Sequence, residues 1–136
     1  MREIKFRGIK KGKNHFVYGN LSIKFDMAFI QTYLEDTRSY EDVEVEPETV
    51  GQYTELEYNF HKYFEHDICQ MVVPTKDGGK ETVKGVVGFT MGSFFLNEIG
   101  GKWRKWIFAE IATMAIRSGA TVFYLGNIHD NPELLT

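Results

Sequence analysis

The sequence has one cysteine, Cys69, in 136 residues, which excludes an intrachain disulfide. Its flanks, Asp67-Ile-Cys-Gln-Met-Val-Val73, read as a strand, and a small buried apolar thiol is expected rather than a redox centre. That suits a reducing cytoplasm. Long apolar runs are also missing: nothing approaches the ~18 residues of a membrane span, and the opening Met-Arg-Glu-Ile-Lys-Phe has no signal-peptide core. A soluble cytoplasmic protein without a membrane partner is therefore expected. An excess of one sign of charge is also missing, with a formal net charge of −3 and a sequence pI near 5.8, so the broad basic footprint of a nucleic-acid-binding domain is lacking. There is no repeat, no Gly-x-Ser-x-Gly elbow at Ser93, and no finger or metalloprotease spacing. Glycines 78, 79, 100 and 101 are paired at hairpin turns rather than between a strand and a helix, which excludes a phosphate-binding loop.

What the chain does have is aromatic residues: eleven Phe, seven Tyr and two Trp, or 15%. These suit pleated surfaces, and a mainly β protein with one short helix is predicted. Residues 2–7 alternate polar and apolar, placing Ile4 and Phe6 on one face. A polar turn over 8–14 leads to a strand at 15–19, Leu21–Phe25 alternates again, and Met27–Tyr33 reads as a strand buried on both faces. Together these form an N-terminal meander. Leu34–Glu44 reads as an acidic connection, and Glu46-Pro47 brings the chain in extended before a bend. Further strands are predicted over Tyr63–Val73, 81–89, 93–96, Trp103–Ile107 and Ala120–Leu125, with the strongest turn at Pro74–Gly79. Short glycine-punctuated strands favour a small barrel or sandwich. Trp106, Ile107, Ile111, Met114 and Ala115 recur at helical spacing, predicting a helix over Phe108–Arg117 closed by Gly119. One domain of 1–136 is expected, with sub-lobes 1–45 and 55–136 joined by 46–54.

Two phrases stand out: Glu46-Pro-Glu-Thr-Val-Gly-Gln-Tyr-Thr54 and Leu125-Gly-Asn-Ile-His-Asp-Asn-Pro-Glu-Leu-Leu135. With Met1-Arg-Glu-Ile-Lys-Phe-Arg7, Val17-Tyr-Gly19 and Phe64-Glu-His-Asp-Ile68, in that order, they resemble the YopX family over nearly the whole chain. The resemblance implies a β-rich fold with a small barrel-like (SH3-like) C-terminal half, self-assembly, and a phage or prophage origin in a bacterial host. It implies no established activity. The chain departs from the family pattern where Glu55 and His66 stand in place of glycine. It also departs in a shortened turn, Tyr58-Asn-Phe-His61, and in a longer stretch over Ile107–Ser118. If glycine is needed in this stretch for positive φ, the loop must bend differently.

Three sets of residues bear on chemistry. His61, Glu65, His66, Asp67 and Cys69 are all zinc-binding types, and His61, His66 and Asp67 are the weak metal candidates. On a strand, however, His66 and Asp67 point to opposite faces and cannot share a ligand sphere. No catalytic residue, cofactor or small-molecule ligand is expected. Arg2, Lys5, Arg7 and Lys11, with Lys102, Trp103, Arg104 and Lys105, place cations beside aromatics as single-stranded nucleic acid requires. The competing reading has those lysines solvated and the tryptophans in a core or interface. Pro47, Gly51, Gln52, Gly126, Asn127, Asn131 and Pro132, with Asp130, are turn chemistry first. The preferred expectation is a non-enzymatic binding or assembly module acting as a homo-oligomer. A nucleic-acid-binding accessory protein and a metal-assisted hydrolase are the two alternatives.

Overall fold

In the computed structural model, residues 3–100, 102–119 and 122–136 are described. Two compact units divide them, one taking the chain up to Glu57 together with Lys62–Phe64, the other taking Tyr58–His61 and the chain from Glu65 onward.

The first unit is a meander extended by a hairpin. Strands β1 (Phe6–Ile9), β2 (Phe16–Lys24), β3 (Met27–Leu34) and β4 (Ser39–Val45) pair in succession, and β5 (Gly51–Tyr58) with β6 (His61–Phe64) add to the other side of β1, in the order β4-β3-β2-β1-β5-β6. All the pairings resolved within this sheet are antiparallel. Its core gathers Ala28, Ile30 and Val45, with Phe6, Val17, Leu21 and Val50 packed against them.

Four expectations are corrected here. The first strand begins at Phe6 rather than residue 2, and Ile4 is exposed while Arg7 is buried. Arg2 lies outside the described residues. The β3 strand is buried on one face only, through Ala28 and Ile30. The segment 34–44 is no mere connection, because most of it is strand β4, whose Val43 and Val45 face inward opposite Ile30 and Ala28 while Glu44 between them faces the other way. Surface acids masked the period-2 pattern there. Finally, β5 pairs with β1, Phe6 opposite Gln52 and Arg7 opposite Gly51, so the phrase 46–54 lies within the first unit.

That phrase is built for a corner. Glu46 is extended, as the following proline requires, and Pro47–Thr49 form one 3-10 turn. The buried Thr49 hydroxyl accepts from the Ile9 amide at 2.9 Å and donates to the Glu46 carbonyl at 2.6 Å. Glu46 N in turn donates to Ile9 O at 2.9 Å. The turn is thereby fixed to the end of β1.

The second unit is a five-stranded antiparallel sheet carrying one helix. Strands β7 (Asp67–Pro74), β8 (Lys80–Thr90), β9 (Ser93–Glu98), β10 (Lys105–Ile107) and β11 (Val122–Asn127) take the order β10-β9-β8-β7-β11. The sheet is open rather than a closed barrel, since no pairing joins β10 to β11 among the described residues. A single predicted strand over Tyr63–Val73 is two strands, β6 and β7, broken by a turn at Glu65-His66.

Helix α1 (Phe108–Arg117) occupies the predicted span. Phe108, Ile111, Ala112 and Ala115, spaced three and four apart, form its buried stripe, and it packs on β7 and β9. Gly119 at φ 78 ends it. With Ile68, Cys69, Met71, Val73, Val83, Val87, Leu96 and Val122 these residues are the core. Of the other turn and strand expectations, Gly101, Ala120 and Thr121 lie outside the described residues.

Candidate functional site

The polar groups of the second unit gather at the start of β7 and the end of β11, where Asp67 stands opposite Asn127 in the strand register. Asp67 is wholly buried and Asn127 nearly so. Buried carboxylates demand partners. His61 Nε2 lies 3.2 Å from Asp67 Oδ2, and the His61 ring stacks on Tyr124, with centroids 3.8 Å apart and planes 24° from parallel. The stack and the carboxylate together fix the ring's orientation.

A second histidine pair lies in the same unit. His66 Nδ1 and His129 Nε2 are 3.2 Å apart, with ring planes at 90°. The backbone under each ring is pinned: His66 N donates to Val87 O at 2.8 Å, Ile128 N donates to His66 O at 2.9 Å, and His129 N donates to Asn127 Oδ1 at 3.0 Å. Asn127 Oδ1 also accepts from Asp130 N, and its amide donates to Asp130 Oδ2, both at 3.0 Å.

The terminal phrase is thus an Asx-type loop. Gly126 lies at a register shift in β11, and a side chain there would meet Asn131 Oδ1 at 2.2 Å. Asn131 precedes a 3-10 turn at Pro132–Leu135.

Of the weak metal candidates, His61 and Asp67 are brought together, whereas His66 turns to His129. Nothing in the spacing of residues 61–67 pointed to His129 or Tyr124, because strand pairing across the fold brings them there. Among the described residues no three His, Cys, Asp or Glu side chains converge as a ligand set. Cys69 is buried, and burial pushes its thiol up to about 12, so it is no thiolate nucleophile near neutral pH.

His66 has φ 77 and Glu55 φ 74. The chain therefore keeps a left-handed backbone at both positions without glycine. That backbone costs a non-glycine residue about 1–2 kcal/mol, and at His66 the hydrogen bonds of its amide and carbonyl to Val87 and Ile128 hold it.

The basic residues are largely engaged within the chain. Arg7 is buried with its guanidinium over the Phe16 ring at 4.2 Å and the Phe64 ring at 5.0 Å, and Lys5 lies over Tyr18 at 5.7 Å. Lys11 pairs with Glu44 at 2.9 Å. Arg104 is gripped by two carboxylates: its Nε donates to Glu98 Oε2 at 2.7 Å, and its Nη1 and Nη2 donate to Glu81 at 3.0 and 3.1 Å. It also lies over the Trp106 ring at 4.7 Å. Lys102 is 3.7 Å from Glu81, and Lys105 lies over Phe95 at 5.3 Å. Trp103 is exposed.

A third feature lies at the hairpin ends. Three hairpins close with two-residue loops: Phe25-Asp26 between β2 and β3, Asn59-Phe60 between β5 and β6, and Met91-Gly92 between β8 and β9, every one of the six residues at φ between 50 and 80. This is the type I′ turn, which favours Asn-Gly. Here Phe25, Phe60 and Met91 hold left-handed positions while their side chains are exposed at 97%, 102% and 97%.

The fold and these features define a β-rich protein of two antiparallel sheets, with a histidine-containing polar cluster in its second unit and apolar hairpin tips. Residues 5–136 match the YopX protein family, and the chain belongs to that family. No curated protein matches it. A crystal structure of protein EF1440 from Enterococcus faecalis is similar, at 21% identity and a TM-score of 0.55 over 100% of each chain. That likeness supports the fold. Among the described residues no helix is long and apolar enough to cross a membrane.

Proposed function

We propose that this YopX-family protein is a non-enzymatic binding and assembly module that acts as a homo-oligomer, phage- or prophage-encoded and working in the cytoplasm of a bacterial host. The observation that carries the binding role is the set of apolar hairpin tips. A fully exposed Phe or Met gains nothing from burial in the isolated chain, and its left-handed backbone adds a cost. Both penalties are offset when the tip is buried in a partner.

Other exposed aromatics fit the same reading. Tyr33 and Tyr40 form an exposed edge-to-face pair on β3 and the edge strand β4, with centroids 5.2 Å apart, and aromatic side chains are what protein interfaces concentrate. A self-complementary surface leads to closed oligomers. A non-enzymatic role is supported by the inert thiol of Cys69 and by the locked ring of His61. Light scattering at several protein concentrations tests the proposal: a mass above that of one chain is expected, and a monomer at every concentration removes the oligomer.

A further inference from the structure

We propose that His66 and His129 form a site for a divalent transition-metal ion such as zinc, with solvent completing its coordination. The pair differs from the His61–Asp67 pairing and rests on its own geometry. Two nitrogens 3.2 Å apart, each about 2.0–2.1 Å from a shared zinc ion, subtend an angle of roughly 100° at the metal, within the tetrahedral range. The metal sits off the line joining the two nitrogens, and its bonds replace the hydrogen bond between the rings.

Preorganisation favours the site. The amide and carbonyl of His66 are both bonded, to Val87 and Ile128, and the His129 amide is held by Asn127, so binding orders two side chains without ordering a loop. His66 also keeps φ 77, where glycine would be unstrained. Strained backbone clusters at functional sites, and here it carries a ring that meets a second histidine. No third His, Cys, Asp or Glu converges among the described residues, so the site is open and exchangeable, whereas structural zinc takes four protein ligands. When filled, it staples the segment following β11 to the turn that begins β7.

The test is calorimetric titration of the tag-free protein with zinc chloride, beside the variants His66→Gly, His129→Gln and His15→Gln. Glycine suits the backbone at residue 66, so His66→Gly keeps the fold, and thermal melting without metal verifies that each variant is folded. One zinc ion per chain is expected, with a melting temperature several degrees higher in excess zinc. Affinity is expected to fall at least tenfold in His66→Gly and in His129→Gln, and to be unchanged in His15→Gln. Absence of saturable binding in the parent chain overturns the proposal, and so does wild-type affinity in either of the first two variants.

Discussion

His61 Nε2 meets Asp67 Oδ2 at 3.2 Å, and Asp67 is the wholly buried first residue of β7. The carboxylate sits beside the buried Cys69 and opposite Asn127, in surroundings that offer an unpaired charge little solvation. His61 supplies part of the compensation, and its stack on Tyr124 adds apolar contact.

Replacing His61 with Ala withdraws a hydrogen bond from a buried carboxylate. A loss of about 1–3 kcal/mol in folding stability is expected, measured by urea unfolding at neutral pH. Tyr124→Leu removes only the stacking partner, and a smaller loss of roughly 0.5–1.5 kcal/mol is expected. Equal stability of His61→Ala and the parent chain contradicts the pairing.

The hairpin tips give a prediction of opposite sign. Phe25→Asn and Met91→Asn install the residue that type I′ turns prefer, at positions where the present side chain touches solvent. Each is expected to stabilise the folded chain by up to about 1 kcal/mol, because Asn tolerates the left-handed region better than Phe or Met. Thermal melting at low protein concentration reads this, and a lower melting temperature in both variants counts against the turn assignment.

At Glu55, φ is 74, the side chain follows Thr54 on β5, and the Thr54 hydroxyl donates to Tyr63 O at 2.8 Å. Glu55→Gly removes the left-handed penalty and leaves that hydrogen bond intact. The expected outcome is unchanged or slightly raised stability, by up to about 1 kcal/mol, whereas Glu55→Val is expected to lose stability because a β-branched residue is a poorer fit to that backbone.

Arg104 sets a pH dependence. Hydrogen bonds from its guanidinium hold the carboxyls of Glu81 and Glu98 below their usual value near 4.5. A carboxyl depressed on folding contributes stability that is present above its unfolded value and lost as pH falls through the folded one. Arg104→Gln is therefore expected to be less stable than the parent at pH 7, with the difference shrinking below about pH 4 as both carboxyls protonate. Melting temperatures across pH 3–7 test this, and a difference that persists unchanged at pH 3 contradicts it.

How much of this was legible in the sequence depends on whether the signal was local. The helix over Phe108–Arg117 could be read because its apolar stripe and terminal glycine lie within one short segment. The meander was legible from alternation, except at β4, where surface acids hid Val43 and Val45. The assignment of β5 to the first sheet was not legible, since it depends on pairing with β1 some forty-five residues earlier. Arg7 read as a surface cation because its type is usually solvated, yet Phe16 and Phe64 enclose it. His61 and His66 were visible as candidates, but their partners Tyr124 and His129 come from a distant strand and the loop after it. The tip at Phe25-Asp26 was missed because Phe-Asp is not a dipeptide that announces a type I′ turn, whereas the turn at Tyr58–His61 was visible as a shortened one.

The most direct test of the assembly reading is sedimentation velocity over a range of concentrations, comparing the parent chain with the triple variant Phe25→Asn, Phe60→Gly, Met91→Asn. The account predicts an oligomeric parent and a monomeric variant that melts no lower. A parent that sediments as a monomer throughout, or a variant that associates as strongly as the parent, contradicts it.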